Sequence, residues 1–148
     1  MKQIWFDMDG TIADLYGVEN WLPMLINSDP TPYEVARPLV NLSRLARYLN
    51  RLQKAGYHIG VISWLSKTST PEYDALVTSA KMFWLKAHMP SVKWDEIKIV
   101  PYGTNKWRTC GDGLLFDDEA RNRETWENGA AYEPQYIFEI LADFVKSA

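Results

Sequence analysis

Short apolar runs alternate along this chain with longer segments whose apolar positions recur every three to four residues. That alternation restricts the fold more than any single residue does. Ile4-Trp5-Phe6, residues 57–62, residues 97–100 and Gly113–Phe116 read as strands, with a shorter one near Ala130-Ala131-Tyr132. Leu39, Leu42, Leu45, Ala46, Leu49 and Leu52 follow Pro38 at helical spacing and stop before Gly56, which predicts a helix opening near Pro38. Ser69 with Glu72 predicts a capping box, followed by one apolar face of Tyr73, Leu76, Val77, Ala80, Phe83, Trp84 and Ala87. Further helices are predicted over residues 119–126 and from Pro134, the latter turning Ile137, Phe138, Leu141, Phe144 and Val145 inward. Strands joined through helices of this length make βαβ units. The expected fold is therefore α/β: three layers, Rossmann-like, around a mainly parallel sheet.

Repeats, low-complexity stretches and linkers are absent from the 148 residues, so a single domain over 1–148 is expected. A net charge of −3 argues against a nucleic-acid polymer as partner. No apolar run approaches the ~20 residues that cross a bilayer, and the opening residues show no signal-peptide pattern. Cys110 is the single cysteine and cannot form an internal disulfide, so a cytoplasmic protein without a membrane partner is expected. Cys110 also lacks the partners of a catalytic thiol. The seven Trp and eight Tyr belong mostly to the core, because aromatic rings bury large areas.

The chemistry concentrates at strand ends, where open α/β sheets bind their ligands. Strand one runs out on Asp7 and Asp9, strand two on Ser63, and strand four on Asp117 and Asp118, while the loop after strand three leads to Lys106. Phosphoryl transfer needs a nucleophile, neutralisation of phosphate charge and a proton shuttle. Asp7, directly after its strand, can attack phosphorus, and Asp9 can protonate the leaving oxygen and then activate water. Asp7, Asp9, Asp117 and Asp118 form a hard oxygen cluster suited to Mg²⁺. Ser63 and Lys106 can hold phosphoryl oxygens, by hydroxyl donation and by point charge. Lys98 and Arg108 lie near enough in sequence to compete with Lys106 for that role.

In these motifs the chain resembles the haloacid-dehalogenase-like phosphohydrolases. The matching residues are Asp7-Met8-Asp9-Gly10-Thr11, Val61-Ile62-Ser63, Lys106, and Leu114-Leu115-Phe116-Asp117-Asp118. The resemblance covers roughly residues 2–119. It implies Asp7 as nucleophile, Asp9 as acid and base, and Mg²⁺ held by Asp7, Asp117 and the backbone carbonyl of Asp9. Asp118 would position metal-bound water or serve as an alternative ligand. A five-stranded parallel sheet with strand one in the middle is implied as well. Lys106 lies 11 residues before Asp117, closer than in many members, which leaves room for one short helical turn.

Residues 15–37 are the one insertion after the first motif, and Tyr16, Trp21, Leu22, Leu25 and Ile26 suit a short amphipathic helix. So short a segment cannot build a cap domain of its own, so a small lid over a fairly open site is expected. A homo-oligomer that completes the lid from a second subunit is left open. Tyr16, Trp21 and Trp64 are candidates for contacting substrate, since aromatic faces stack on nucleobases. The run from Phe6 to Asp14 resembles the opening motif of 5′(3′)-deoxyribonucleotidases, which points to a small phosphorylated metabolite, best a (deoxy)nucleoside monophosphate. Two other readings compete: a binding module with this fold but little catalysis, and a receiver-type phosphoacceptor domain. The receiver reading requires an Asp at the end of the third strand, and no Asp occurs between Asp29 and Asp74.

Overall fold

The computed structural model describes residues 2–148. Strand β1 (Gln3–Phe6) leads into a two-residue strand β2 (Ala13–Asp14), and the following segment holds helices α1 (Trp21–Ile26) and α2 (Thr31–Val35) and strand β3 (Arg37–Pro38). Next come α3 (Leu42–Lys54), β4 (His58–Trp64), α4 (Pro71–His88), β5 (Glu96–Val100), α5 (Lys106–Thr109) and β6 (Gly113–Phe116). Helix α6 (Ala120–Thr125), β7 (Ala131–Tyr132), a 3₁₀ turn (Pro134–Tyr136) and α7 (Ile137–Ser147) complete the chain. The five main strands lie in the order β5-β4-β1-β6-β7, every pair parallel, with β1 in the middle as expected.

β1 is central because it is apolar on both sides, as parallel strands covered by helices must be. Ile4 and Phe6 face one layer, packing with Leu45, Leu49 and Leu52 of α3, Trp84 and Leu85 of α4, and Ile137 and Leu141 of α7. Each such fully buried leucine contributes about 1.5–3 kcal/mol. Trp5 faces the other way, with Ile62, Leu115 and Trp126, and Trp107 of α5 packs against that cluster. Gly60 stands beside Trp5 in the register, and a Cβ there would meet the indole at 2.5 Å, so only glycine admits the ring. Phe6 is level with Val61 and Phe116, which brings the carboxyl ends of β1, β4 and β6 to one rim.

Several boundaries differ from the sequence expectation. Helix α3 starts at Leu42, not near Pro38, because the Asn41 side chain accepts the Arg44 N–H at 3.0 Å and caps it there. Pro38 instead pairs with Ala13 in the antiparallel β2–β3 ribbon, and Leu39 is exposed. Helix α4 is capped by Thr70, whose side chain accepts from Tyr73 N, so the Ser69–Glu72 box does not form. Leu76 and Phe83 are 51% and 64% exposed. The buried stripe of α4 runs through Tyr73, Val77, Ala80 and Trp84 and extends on the flank of Lys81 and Leu85, opposite the flank that holds Leu76 and Phe83. Among the described residues no helix is long and apolar enough to cross a membrane.

Candidate active site

The site is built where β1 and β6 run out side by side. Asp7 N–H still bonds Phe116 O at 2.9 Å and Asp117 N–H bonds Tyr132 O at 3.1 Å, so both aspartates are held by the last rungs of the sheet ladders. After Asp7 the chain turns back sharply: the N–H groups of Thr11, Ile12 and Ala13 all reach Met8 O at 3.0 Å. Gly10 makes this turn possible with φ +81°, and a Cβ on it would lie 2.1 Å from Asp118 Oδ2. Thr11, fully buried, ties the two acidic motifs together. Its hydroxyl donates to Asp7 Oδ2 at 3.0 Å and accepts the Asp118 N–H at 3.2 Å.

Asp7, Asp117 and Asp118 each turn a carboxylate oxygen into one cluster, all within 4.8 Å of one another. Lys106, the first residue of the single-turn helix α5, enters this cluster almost fully buried. Its Nζ lies 3.0 Å from Asp7 Oδ1 and 2.7 Å from Asp117 Oδ2. Burial alone would pull the ammonium down, but Asp7 and Asp117 together hold it above its ordinary value. Asn122 of α6 adds a bond to Asp117 Oδ2 at 3.1 Å, and Glu119 N–H bonds its Oδ1 at 3.0 Å. Neither of the other two basic candidates enters the site. Lys98 pairs with Glu96 at 3.3 Å and bonds Thr109 O, while Arg108 lies over Trp107.

One ammonium does not satisfy three carboxylates. Burial first, then the charge of Asp7, pushes Asp117 up to about 6, with Lys106 opposing. Burial and Asp7 push Asp118 further, to about 8. A compact, all-oxygen donor set still short of positive charge fits a hard divalent cation, so the cluster can hold a metal ion.

Asp9 and Ser63 approach the same rim from the other side of β1. Asp9 does not turn its side chain into the acidic cluster: its Oδ2 accepts from Lys81 Nζ at 2.9 Å. Burial raises the Asp9 carboxyl above its ordinary value even though Lys81 pulls against it. Ser63, fully buried, accepts from the same Nζ at 2.6 Å. Neither Lys81 nor Asn122 was among the residues the sequence singled out. The signal for Lys81 is a lysine within an otherwise apolar helical stripe; Asn122 has none.

Over the rim lies a cavity of about 330 Å³ that reaches from Asp7 and Lys106 up to residues 15–37. All three aromatic candidates line it. Tyr16 and Trp21 meet edge to face at 5.0 Å on one wall. Trp64, which also lines the cavity, packs on Tyr102 at 4.9 Å and anchors its indole N–H to Thr104 O at 2.9 Å. Leu15, Leu25 and Tyr33 pack with Leu65, Tyr73 and Val77, so the segment above the site has its own small apolar base on α4.

No protein-family model matches the sequence, and no curated protein matches it. Solved structures do. D,D-heptose 1,7-bisphosphate phosphatase from Burkholderia thailandensis is similar with a TM-score of 0.59 at 14% identity, over 98% of this chain and 99% of its own. D,D-heptose 1,7-bisphosphate phosphatase from B. bronchiseptica, in a crystal structure complexed with magnesium and phosphate, gives a TM-score of 0.58 at 12% identity over 100% of both chains. At such identities the likeness is one of fold: the chain shares the α/β fold of these phosphatases, built on its five-stranded parallel sheet.

Proposed function

We propose that the protein is a Mg²⁺-dependent phosphomonoesterase that works through an aspartyl-phosphate on a small phosphorylated metabolite. The observation that carries this reading is the cluster of Asp7, Asp117 and Asp118 around the ammonium of Lys106, at the carboxyl ends of two adjacent parallel strands. Asp7, fixed by the ladder and by Thr11, attacks phosphorus. Asp9 gives its proton to the leaving oxygen and later takes one from water. Ser63 and Lys106 hold the phosphoryl oxygens as negative charge grows on them. Asp7, Asp117, Asp118 and the backbone carbonyl of Asp9 would hold Mg²⁺, which when bound neutralises part of the phosphoryl charge. Residues 15–37 serve as a small lid on a single domain that spans the chain.

The substrate is best read as a (deoxy)nucleoside monophosphate. Supporting this are a cavity of about 330 Å³, the scale of a small-ligand pocket, and walls made by Tyr16, Trp21, Trp64 and Tyr102, whose rings can stack on a base. The first measurement is phosphate release from p-nitrophenyl phosphate with Mg²⁺, by wild type and by Asp7→Asn. Wild type turns over, and the variant, which keeps the fold, loses at least about 10³-fold. Unchanged turnover in Asp7→Asn would remove the covalent mechanism. A panel of nucleoside monophosphates, sugar phosphates and phosphoamino acids follows, and sugar phosphates hydrolysed as well as deoxynucleotides would remove the nucleotide assignment alone.

A further inference from the structure

Lys81 has no exposed surface, yet it sits on the face of α4 that otherwise buries Tyr73, Val77, Ala80, Trp84 and Leu85. A buried ammonium is strongly unfavourable unless its N–H groups find acceptors. All three do: Asp9 Oδ2 at 2.9 Å, Ser63 Oγ at 2.6 Å and Trp64 O at 2.7 Å. The Tyr33 ring lies 5.1 Å from Nζ and closes the remaining side. A lysine that only stapled α4 to the sheet could have used backbone carbonyls throughout. Two of its three acceptors are instead the side chains that the phosphomonoesterase reading gives to proton transfer and phosphate binding.

An ammonium has donors only, and this dictates how its partners are left. Ser63 Oγ accepts from Lys81, so its own hydrogen points elsewhere and is available to a phosphoryl oxygen. Asp9 has Oδ2 taken and its carboxyl plane fixed, which leaves Oδ1 for the leaving oxygen. We propose that Lys81 is a positioning residue that locks the Asp9 carboxyl and the Ser63 hydroxyl into one unit addressing a single phosphate ester. The inference rests on the phosphomonoesterase reading.

In the first step a bond forms from Asp7 to phosphorus as the bond from phosphorus to the leaving oxygen breaks, and that oxygen takes the proton of Asp9. In the second, water oxygen bonds phosphorus, the bond to Asp7 breaks, and one water proton returns to Asp9. Lys81 keeps its three protons throughout. Its contribution is geometric, and misplacing a reacting group by about 1 Å costs on the order of 10²-fold.

The test is kcat/KM, which reports the steps through transfer to Asp7, on two esters. p-Nitrophenyl phosphate has a leaving oxygen stable without a proton; phenethyl phosphate does not. Lys81→Met keeps the length of the side chain and removes its donors. The expected loss is about 100-fold on phenethyl phosphate and under about 10-fold on p-nitrophenyl phosphate. In an Asp9→Asn background the same substitution costs no more on phenethyl phosphate than it costs on p-nitrophenyl phosphate, under about 10-fold, because the Asp9 part of its action is already disabled and only the Ser63 part is left. Equal losses on both esters, or an undiminished effect in the Asp9→Asn background, would overturn the proposal. Should Lys81→Met not fold, Lys81→Gln, which retains an amide donor, takes its place, and an equal loss on both esters overturns the proposal there too. Wild type that hydrolyses neither ester would overturn the phosphomonoesterase reading itself, a result distinct from active wild type with equal losses.

Discussion

Two buried lysines divide the acidic groups at the strand ends between them. Lys106 serves the Asp7–Asp117 side of the sheet, bonded to two carboxylate oxygens, and Lys81 the Asp9–Ser63 side, where all three of its N–H groups find oxygens. The lysine differs from an arginine here: a compact ammonium fits between oxygens that converge from several directions, where a planar fork does not. Away from the site, Asp95 shows the ordinary use of a carboxylate. Its Oδ2 accepts the Ile59 N–H at 2.8 Å and the Gln53 amide at 3.0 Å, fastening the start of β5 to β4. Burial works to raise this carboxyl, but the bonds from Ile59 and Gln53, with His58 nearby, leave it below its ordinary value. A carboxyl depressed in the folded state adds stability that is complete above its unfolded value, about 3.9, and lost as pH falls through the folded one. Asp95→Asn should therefore lower stability at pH 7 by about 0.5 kcal/mol, the low end for an exposed carboxylate. Denaturant melts at pH 7 and below pH 4 check this. A difference from wild type that grows on acidification would contradict it.

At the scale of elements, the local signals decide where helices begin, and they compete. Pro38 and Asn41 both suit a helix start, and the chain uses Asn41 because its side chain caps Arg44 while Pro38 goes to the ribbon with Ala13. Asn41→Ala should thus cost about 1 kcal/mol and lower Tm by roughly 2–4 °C, with little effect on activity, since no residue of α3 lines the cavity. An unchanged Tm would mean that the cap contributes nothing. Lys81 makes the same point about α4. Periodicity alone gave Tyr73, Val77, Ala80 and Trp84 correctly but placed Leu76 and Phe83 on the wrong side of the boundary, because apolar spacing does not show which flank of that stripe faces the sheet. The structure turns Lys81 and Leu85 inward and leaves Leu76 and Phe83 in solvent, because the ammonium finds three oxygens at the sheet's rim.

For the whole molecule, the acidic cluster links folding to cation binding. Three carboxylates sharing one ammonium repel one another in the absence of a further cation, so an ion that binds only the folded state stabilises it by mass action. Mg²⁺ at about 100 times its Kd should add about 2.7 kcal/mol and raise Tm by roughly 5–10 °C, and a chelator should reverse this. Asp118→Asn should remove most of the rise, and a wild-type Tm indifferent to Mg²⁺ would count against the metal assignment. The sequence by itself determined the α/β architecture and the acidic residues at strand ends, because apolar periodicity and strand punctuation are local properties; the middle position of β1 was an expectation from the resemblance alone. Even the short α5 between Lys106 and Asp117 was legible as a spacing. Only the tertiary structure decided that Lys106, not Lys98 or Arg108, enters the carboxylate cluster, and that Lys81 and Asn122 join the site at all. Those contacts join residues distant in sequence, and a side chain's reach across a sheet depends on which face its element turns inward, which no local pattern encodes.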